Sequence, residues 1–197
     1  MAQEVGQIIV LNGASSAGKT QTAQALQPRL GPHCVLTGLD DILGRVKPFG
    51  SDDGGPFRAV VRNLLIIWFT VNDGRLRLLQ RLHREVVTLA EAGHPVVVET
   101  SLMDRRALLD AAGCFKPLNG LFVAMKPPLD ISEQWESRRT DRPGGQARKH
   151  YDLIHAHGIY DLVLDLSDLT PAACAEAIMQ RLLGAPPDAF RRLAARG

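Results

Sequence analysis

The stretch that most constrains this chain runs from Gln7 to Leu30. Ile8-Ile9-Val10-Leu11 is a short apolar run that reads as a buried strand. It is followed by Gly13-Ala14-Ser15-Ser16-Ala17-Gly18-Lys19-Thr20, which fits G-x-x-x-x-G-K-[ST] at each fixed position. Beyond the motif, Thr22 to Leu30 carries Ala23, Leu26 and Leu30 at helical spacing, with Pro28 as its one breaker. Strand, glycine loop and helix, in that order, are the context in which this spelling binds phosphate.

The chemistry accounts for the residue types. Gly13 and Gly18 let the backbone turn with no Cβ in the way, so that successive N–H groups and the positive end of the next helix face a nucleotide phosphate. Lys19 then reaches the β- and γ-phosphates and is expected to face solvent in an empty loop. The Thr20 hydroxyl is placed to ligate Mg²⁺. The bland alternative is a plain turn between a strand and a helix, and the correct flanking pattern argues against it.

Composition narrows the class. With 197 residues, 45% of them apolar, the chain can bury one good core, so a single domain over 1–197 is expected, with an acceptor-binding segment near 41–74 and a lid near 131–150. A net charge of +2 and dispersed Lys and Arg, with few aromatics, offer no dedicated nucleic-acid surface. Cys34, Cys114 and Cys174 are odd in number and far apart, which points to buried thiols in a reducing compartment and to neither a disulfide framework nor a zinc site. Met1 to Gln7 lacks a basic leader pattern, and the apolar run Leu64 to Val71 is too short to span a membrane; a cytoplasmic location is expected. Oligomeric state stays open.

Further along, Cys34-Val35-Leu36 reads as a second strand leading into Thr37-Gly38-Leu39-Asp40-Asp41-Ile42-Leu43. Carboxylates at the carboxyl end of such a strand lie where an open α/β sheet binds ligands, so Asp40, and less so Asp41, can face substrate; capping a helix is the alternative. After a loop rich in Gly, Asp and Pro, Phe57 to Val71 is expected to be a mostly helical flap containing Phe57, Trp68 and Phe69, either core or the wall of an apolar acceptor pocket, closed by Asn72-Asp73-Gly74. Arg75 to Gly93 is the clearest amphipathic helix, with Leu76, Leu79, Leu82, Val86, Leu89 and Ala90 on one stripe and Arg77, Arg81, Arg84 and Glu85 on a solvated face. Val96-Val97-Val98-Glu99-Thr100 is an apolar strand ending in an acid. Glu99 beside the glycine loop can hold a Mg²⁺-bound water or position an acceptor hydroxyl; orienting a loop backbone is its structural alternative. A helix over 101–112 and a strand over 121–125 follow.

Between Ile131 and His157 charge concentrates in Glu133, Glu136, Arg138, Arg139, Asp141, Arg142, Arg148 and Lys149, around Pro143-Gly144-Gly145. Arginines on a glycine-hinged loop between helices can neutralise a transferring phosphoryl group as the segment closes. The alternative is a solvated helical hairpin with intrahelical ion pairs and Glu133 and Ser137 facing water. His150, His155 and His157 have spacings that do not share a helical face, so no metal site is expected of them. Tyr160 to Leu166 reads as a fifth strand, 171–183 as a helix capped at Thr170-Pro171, and the chain finishes in a small basic helix after Pro186-Pro187. Five apolar strands alternating with helices predict an α/β fold: a three-layer P-loop kinase with a five-stranded, mostly parallel sheet, a helical acceptor flap and a lid.

With these residues in place, the sequence resembles the chloramphenicol phosphotransferase family of small P-loop kinases. The resemblance rests on Ile9 through Thr20, on Gly38-Leu39-Asp40, on Asp141-Arg142 through Ala147, and on His155 to Gly158-Ile159-Tyr160-Asp161. It implies ATP and Mg²⁺ as cofactors, Asp40 as general base, Arg139 and Arg142 as lid arginines, Lys19 as the phosphate-binding lysine and Thr20 as the Mg²⁺-binding hydroxyl. Glu99-Thr100 stands where the family has paired acids, and the segment from Lys47 to Asn72 is spelled differently, so the acceptor identity is open. The expected reaction is transfer of the ATP γ-phosphoryl group to a hydroxyl of a small molecule such as chloramphenicol or a similar antibiotic. A kinase of a primary metabolite or nucleotide sugar is the alternative within the class, and a non-catalytic nucleotide-sensing module the alternative outside it. No nucleic-acid or membrane partner is expected.

Overall fold

The computed structural model describes residues 4–39, 41–42, 73–138, 145–167 and 169–196. The expected general base Asp40, the lid arginines Arg139 and Arg142, the flap from Phe57 to Val71, and Pro143-Gly144 lie outside the described residues.

The strands are β1 (Ile8–Asn12), β2 (Val35–Gly38), β3 (Val96–Thr100), β4 (Leu121–Met125) and β5 (Leu162–Leu164). They form one sheet in the order β2-β3-β1-β4-β5, with every pairing parallel. The helices are α1 (Lys19–Leu30), α2 (Gly74–Glu91), α3 (Arg105–Phe115), α4 (Leu129–Ser137), α5 (Gln146–His155), α6 (Pro171–Leu182) and α7 (Ala189–Ala194). Sequence order and spatial order differ, and this difference sets the site: β1 lies inside the sheet, between β3 and β4.

The continuous apolar runs of β1 and β4 follow from burial on both faces, as a parallel sheet covered by helices requires. Alternate residues part company. Ile8 and Val10 face a core with Leu79, Leu82 and Val86 of α2, Ala107 and Ala111 of α3, and Phe190 of α7. Ile9 and Leu11 face a second core with Ala23 and Leu26 of α1 and Cys174 and Ile178 of α6. The period of two along each strand therefore divides one sheet between two helical layers.

Helix α2 matches its amphipathic pattern: Leu79, Leu82, Val86 and Ala90 are buried, while Arg77, Arg81 and Arg84 are exposed. Its stripe also buries His83, whose Nδ1 lies 2.6 Å from Asp110 of α3. Burial pulls the His83 pKa below its ordinary value, against the opposing pull of Asp110. The third helix starts later than the sequence reading, at Arg105, because Asp104 caps it by accepting the Arg106 amide at 2.7 Å. Ser101 to Met103 are thereby left as a connection beside the glycine loop. The fifth strand is shorter than expected, because its first two candidates are used elsewhere. The buried Asp161 carboxylate accepts amides from Phe122, Asp188 and Ala189, and Tyr160 turns into the core. Thr170 caps α6 at Ala173, with Pro171 in the first turn, as read from sequence.

The segment expected to be a solvated hairpin or lid contains α4 and α5. Among the described residues one ion pair here is interhelical, where the hairpin alternative has intrahelical pairs: Arg148 donates from Nε to Glu133 Oε1 at 2.6 Å. Glu136 is buried and accepts the Gly145 and Ala147 amides at 2.9 and 3.0 Å, closing the N-terminus of α5 onto α4. Cys34 and Cys174 are buried and Cys114 half-buried, all three as free thiols. Among the described residues no helix is long and apolar enough to cross a membrane.

Candidate active site

Parallel pairing sets Asn12 opposite Thr100 and Gly38 opposite Glu99, so that β1, β2 and β3 end within one residue of each other at their carboxyl ends. At that edge opens a cavity of about 960 Å³. The glycine loop forms its floor, with Ser15 to Gln21 all contributing. On the β2 and β3 side stand Gly38, Leu39, Asp41, Glu99, Ser101, Met103 and the first turns of α2; on the other stand Trp135 and Arg138 of the α4 segment.

The loop's geometry explains its spelling. A Cβ on Gly13 would lie 2.5 Å from the Met125 carbonyl, so β1 can pass β4 this closely only without a side chain. Gly18 has φ 74° and caps α1 in the left-handed region, where a Cβ would also meet Leu166 at 2.8 Å. Ser16 is left-handed as well, at φ 63°, and its buried Oγ has no hydrogen-bond partner among the described residues. Helix α1 opens with no side-chain cap and no acidic residue in its first turn. An uncapped helix start, an orphaned buried hydroxyl and a lysine together fit a nucleotide phosphate.

Lys19 is not solvent-facing. It is half-buried, and its Nζ donates to the Gly13 and Ala14 carbonyls at 2.9 and 2.6 Å. The ammonium group thus braces the loop from within. Thr20 is exposed on the cavity, and its hydroxyl donates to Glu99 Oε2 at 2.7 Å. The two residues are brought together by the β1–β3 pairing, which sets Glu99 opposite Leu11. A hydroxyl and a carboxylate oxygen at this spacing form a hard-oxygen pair of the kind that suits Mg²⁺.

Several residues that sequence reasoning missed complete the surroundings. Ser101 Oγ donates to the Gly13 carbonyl at 2.7 Å, and Arg75 Nη2 donates to the Ser101 carbonyl at 3.0 Å. Beneath the loop, Asn12 Nδ2 donates to the Tyr160 hydroxyl at 2.8 Å, while Asn12 Oδ1 accepts the Leu102 amide at 2.8 Å. That hydroxyl lies 2.8 Å from His155 Nδ1 and 3.2 Å from the Ile154 carbonyl, which ties the end of α5 to the last residue of β1. The motif His155 to Asp161 was visible in the sequence as part of a resemblance; its physical role, anchoring Asn12 and α7, was not.

Burial dominates the titration of this layer. The His155 pKa is pushed down to about 4 by burial, with Lys126, His157 and Lys19 adding to the effect. His157 is also held at about 4 by burial, although its Nδ1 accepts the Ile159 amide. The Tyr160 phenol is pushed well above its usual range by burial. His150, on the cavity wall, is lowered by burial and then by Lys149 and Arg75. Among the described residues no group of three His, Cys, Asp or Glu side chains could hold a metal ion by themselves.

A family model described as chloramphenicol phosphotransferase-like protein matches residues 6–183. The chain belongs to that family. Membership makes it a small P-loop kinase, with phosphotransferase activity that uses ATP in general terms. Two Mycobacterium tuberculosis proteins provisionally named O-phosphotransferase, MT2714 and Rv2636, are each 27% identical over 95% of this chain and 88% of their own. Among solved structures, a sugar kinase of Janibacter sp. HTCC2649 superposes with a TM-score of 0.66 at 18% identity, covering 92% of this chain and 96% of that one. Shikimate kinase of Acinetobacter baumannii gives 0.60 at 18% identity with the same two coverages. The Deinococcus radiodurans tunicamycin resistance protein gives 0.55 at 20% identity, covering 92% and 98%. These likenesses show the fold alone, a three-layer α/β architecture shared with P-loop kinases.

Proposed function

We propose that this protein is an ATP-dependent O-phosphotransferase whose acceptor is a small polar metabolite bearing a hydroxyl. The observation that carries the reading is the contact between Thr20 and Glu99 at the mouth of the glycine loop. A loop that only senses a nucleotide needs phosphate contacts; a transferase also needs a metal and an acceptor wall beside them.

In this reading Lys19 and the first amides of α1, with the loop from Gly13 to Thr20, hold the phosphates, and Thr20 and Glu99 hold Mg²⁺. Bound Mg²⁺ offsets negative charge on the phosphate oxygens and orients them for in-line displacement. The acceptor oxygen forms a bond to the γ-phosphorus as the bond to the β–γ bridging oxygen breaks, and that electron pair leaves with ADP. The hydroxyl proton passes to a carboxylate, for which Asp40 is the candidate carried by the family resemblance. Arg139 and Arg142, the candidates carried by the same resemblance, and Arg138 on the cavity wall supply positive charge to the transferring group. Arg148 is a poorer candidate, because Glu133 already engages its guanidinium and holds its pKa above the usual value.

The family's description supports a second reading, an antibiotic acceptor such as chloramphenicol. Its residue-level ground, the aromatic group Phe57, Trp68 and Phe69, lies outside the described residues. The described wall on the β2 and β3 side sets Arg75 and Asp41 among Leu39, Leu79 and Met103, which favours an acceptor with polar substituents.

Steady-state kinetics of Asp40→Asn test the proposal. Nucleotide binding should persist while kcat falls by roughly 10²–10⁴-fold, the range for a lost general base. A variant within about twofold of wild type removes Asp40 from the mechanism.

A further inference from the structure

The sheet order divides the positive charges around the cavity. The glycine loop leaves β1, and β2 and β3 lie on one side of it, with β4 and β5 on the other. Arg138 follows α4 and belongs to the β4 side. Arg75 belongs to the opposite half, since it stands in the first turn of α2 and donates to Ser101, just after β3. In the proposed reaction that half receives the acceptor, with Asp41 and Glu99 on its wall.

Arg75 is held in place from both ends. Two residues earlier, Asp73 receives a two-pronged pair from Arg106, at 2.8 and 3.1 Å, which fixes where α2 begins. The Ser101 carbonyl that takes one Arg75 nitrogen belongs to the residue whose hydroxyl is bonded to Gly13. A half-buried guanidinium is thus fixed with respect to the phosphate loop, unlike Arg77, Arg81 and Arg84 farther along the same helix, which are exposed. His150 on α5 lines the same cavity, and its protonation is disfavoured by burial first and then by the charges of Lys149 and Arg75. A neutral acceptor gains little from a cation positioned there, whereas an anionic substituent gains a charge-assisted, directional contact from the planar guanidinium.

We propose that Arg75 is a specificity-determining residue that binds an oxyanion carried by the acceptor, so that the substrate is an acidic alcohol and not a neutral one. The assignment rests on the phosphotransferase reading above and leaves the transfer step unchanged. A carboxylate and a phosphate ester present the same chemistry to a guanidinium, and separate arms of the test distinguish them.

The experiment measures ADP formation and product mass for the full chain with three matched sets of alcohols: hydroxycarboxylic acids, their amides, and sugar phosphates with the parent sugars. Acids should be phosphorylated in preference to their neutral counterparts, and whichever acidic set is used identifies the oxyanion. For the best acid, Arg75→Gln should raise the acceptor KM by roughly 10–100-fold while the ATP KM stays within about twofold, and Arg75→Lys should recover part of the loss. Matching thermal melts for both variants exclude misfolding as the cause. Equal turnover of acids and neutral counterparts, or equal effects of Arg75→Gln on both, overturns the acidic-acceptor assignment and leaves the phosphotransferase standing. No transfer to any alcohol overturns both.

Discussion

The Thr20 hydroxyl and the Glu99 carboxylate meet at 2.7 Å although 79 positions separate them in the chain. Parallel pairing of β1 with β3 creates the contact: the motif supplies the hydroxyl, and the neighbouring strand supplies the acid one residue before its end. If the pair holds Mg²⁺, Glu99→Gln should keep the fold, since the amide oxygen still accepts from Thr20, and should weaken metal-dependent activity by roughly 10–100-fold. Titrating Mg²⁺ in the transfer assay checks this. An unchanged Mg²⁺ dependence would reduce Glu99 to a structural acceptor.

Lys19 acts on the loop as well as on phosphate. Because its Nζ donates to two loop carbonyls, Lys19→Met should cost stability, by about 1–3 kcal/mol for the lost charged hydrogen bonds. Urea unfolding measures that loss, and activity should fall much further than the stability change alone would cause. A variant as stable as wild type would show that the two carbonyl contacts contribute nothing net.

Tyr160→Phe isolates the polar layer under the loop. Removing the hydroxyl leaves the buried Asn12 Nδ2 donor with one long contact, 3.4 Å to the Ile154 carbonyl, while Oδ1 keeps the Leu102 amide. The expected cost is about 1–3 kcal/mol, the range for a buried group deprived of its partner. Chemical denaturation reads it directly, and a neutral result would mean that Asn12 finds another partner.

The histidines in that layer make the fold sensitive to acid. His155 and His157 stay neutral down to about pH 4, whereas their ordinary value is 6.5. Between these values the unfolded chain binds protons that the folded chain does not. The stabilisation is therefore complete above about pH 6.5, declines as pH falls, and stops declining below about pH 4, with a slope of at most about 1.4 kcal/mol per pH unit for each histidine. His83 and His150, also lowered, act with the same sign. Urea titrations at several pH values across this window check it. His155→Gln should flatten the decline; a stability that rises on acidification would contradict the assignment.

Much of this organisation was legible because it is local. Apolar runs bounded by turn residues located the strands, and the glycine loop announced a phosphate site whose glycines prove sterically required. Helix α2 was read correctly as a stripe with Arg77, Arg81, Arg84 and Glu85 on its solvated face, but that reading gave Arg75, at the start of the helix, no role. What separates Arg75 is the level at which α2 meets the end of β3, a consequence of sheet order that no window of sequence contains. The same holds for Asn12 and Tyr160, whose partnership spans 148 positions, and for the fifth strand, shortened because Asp161 serves three amides from distant segments. Nonlocal pairing decides these roles, and residue type alone is compatible with several.

Phosphorus NMR of the full chain with ATP, Mg²⁺ and the alcohol panel tests the phosphotransferase claim most directly. The account predicts a new phosphomonoester signal that grows in step with ADP, on an alcohol whose mass rises by a single phosphoryl group. ATP that binds without being consumed, or ADP accompanied only by inorganic phosphate, would contradict it.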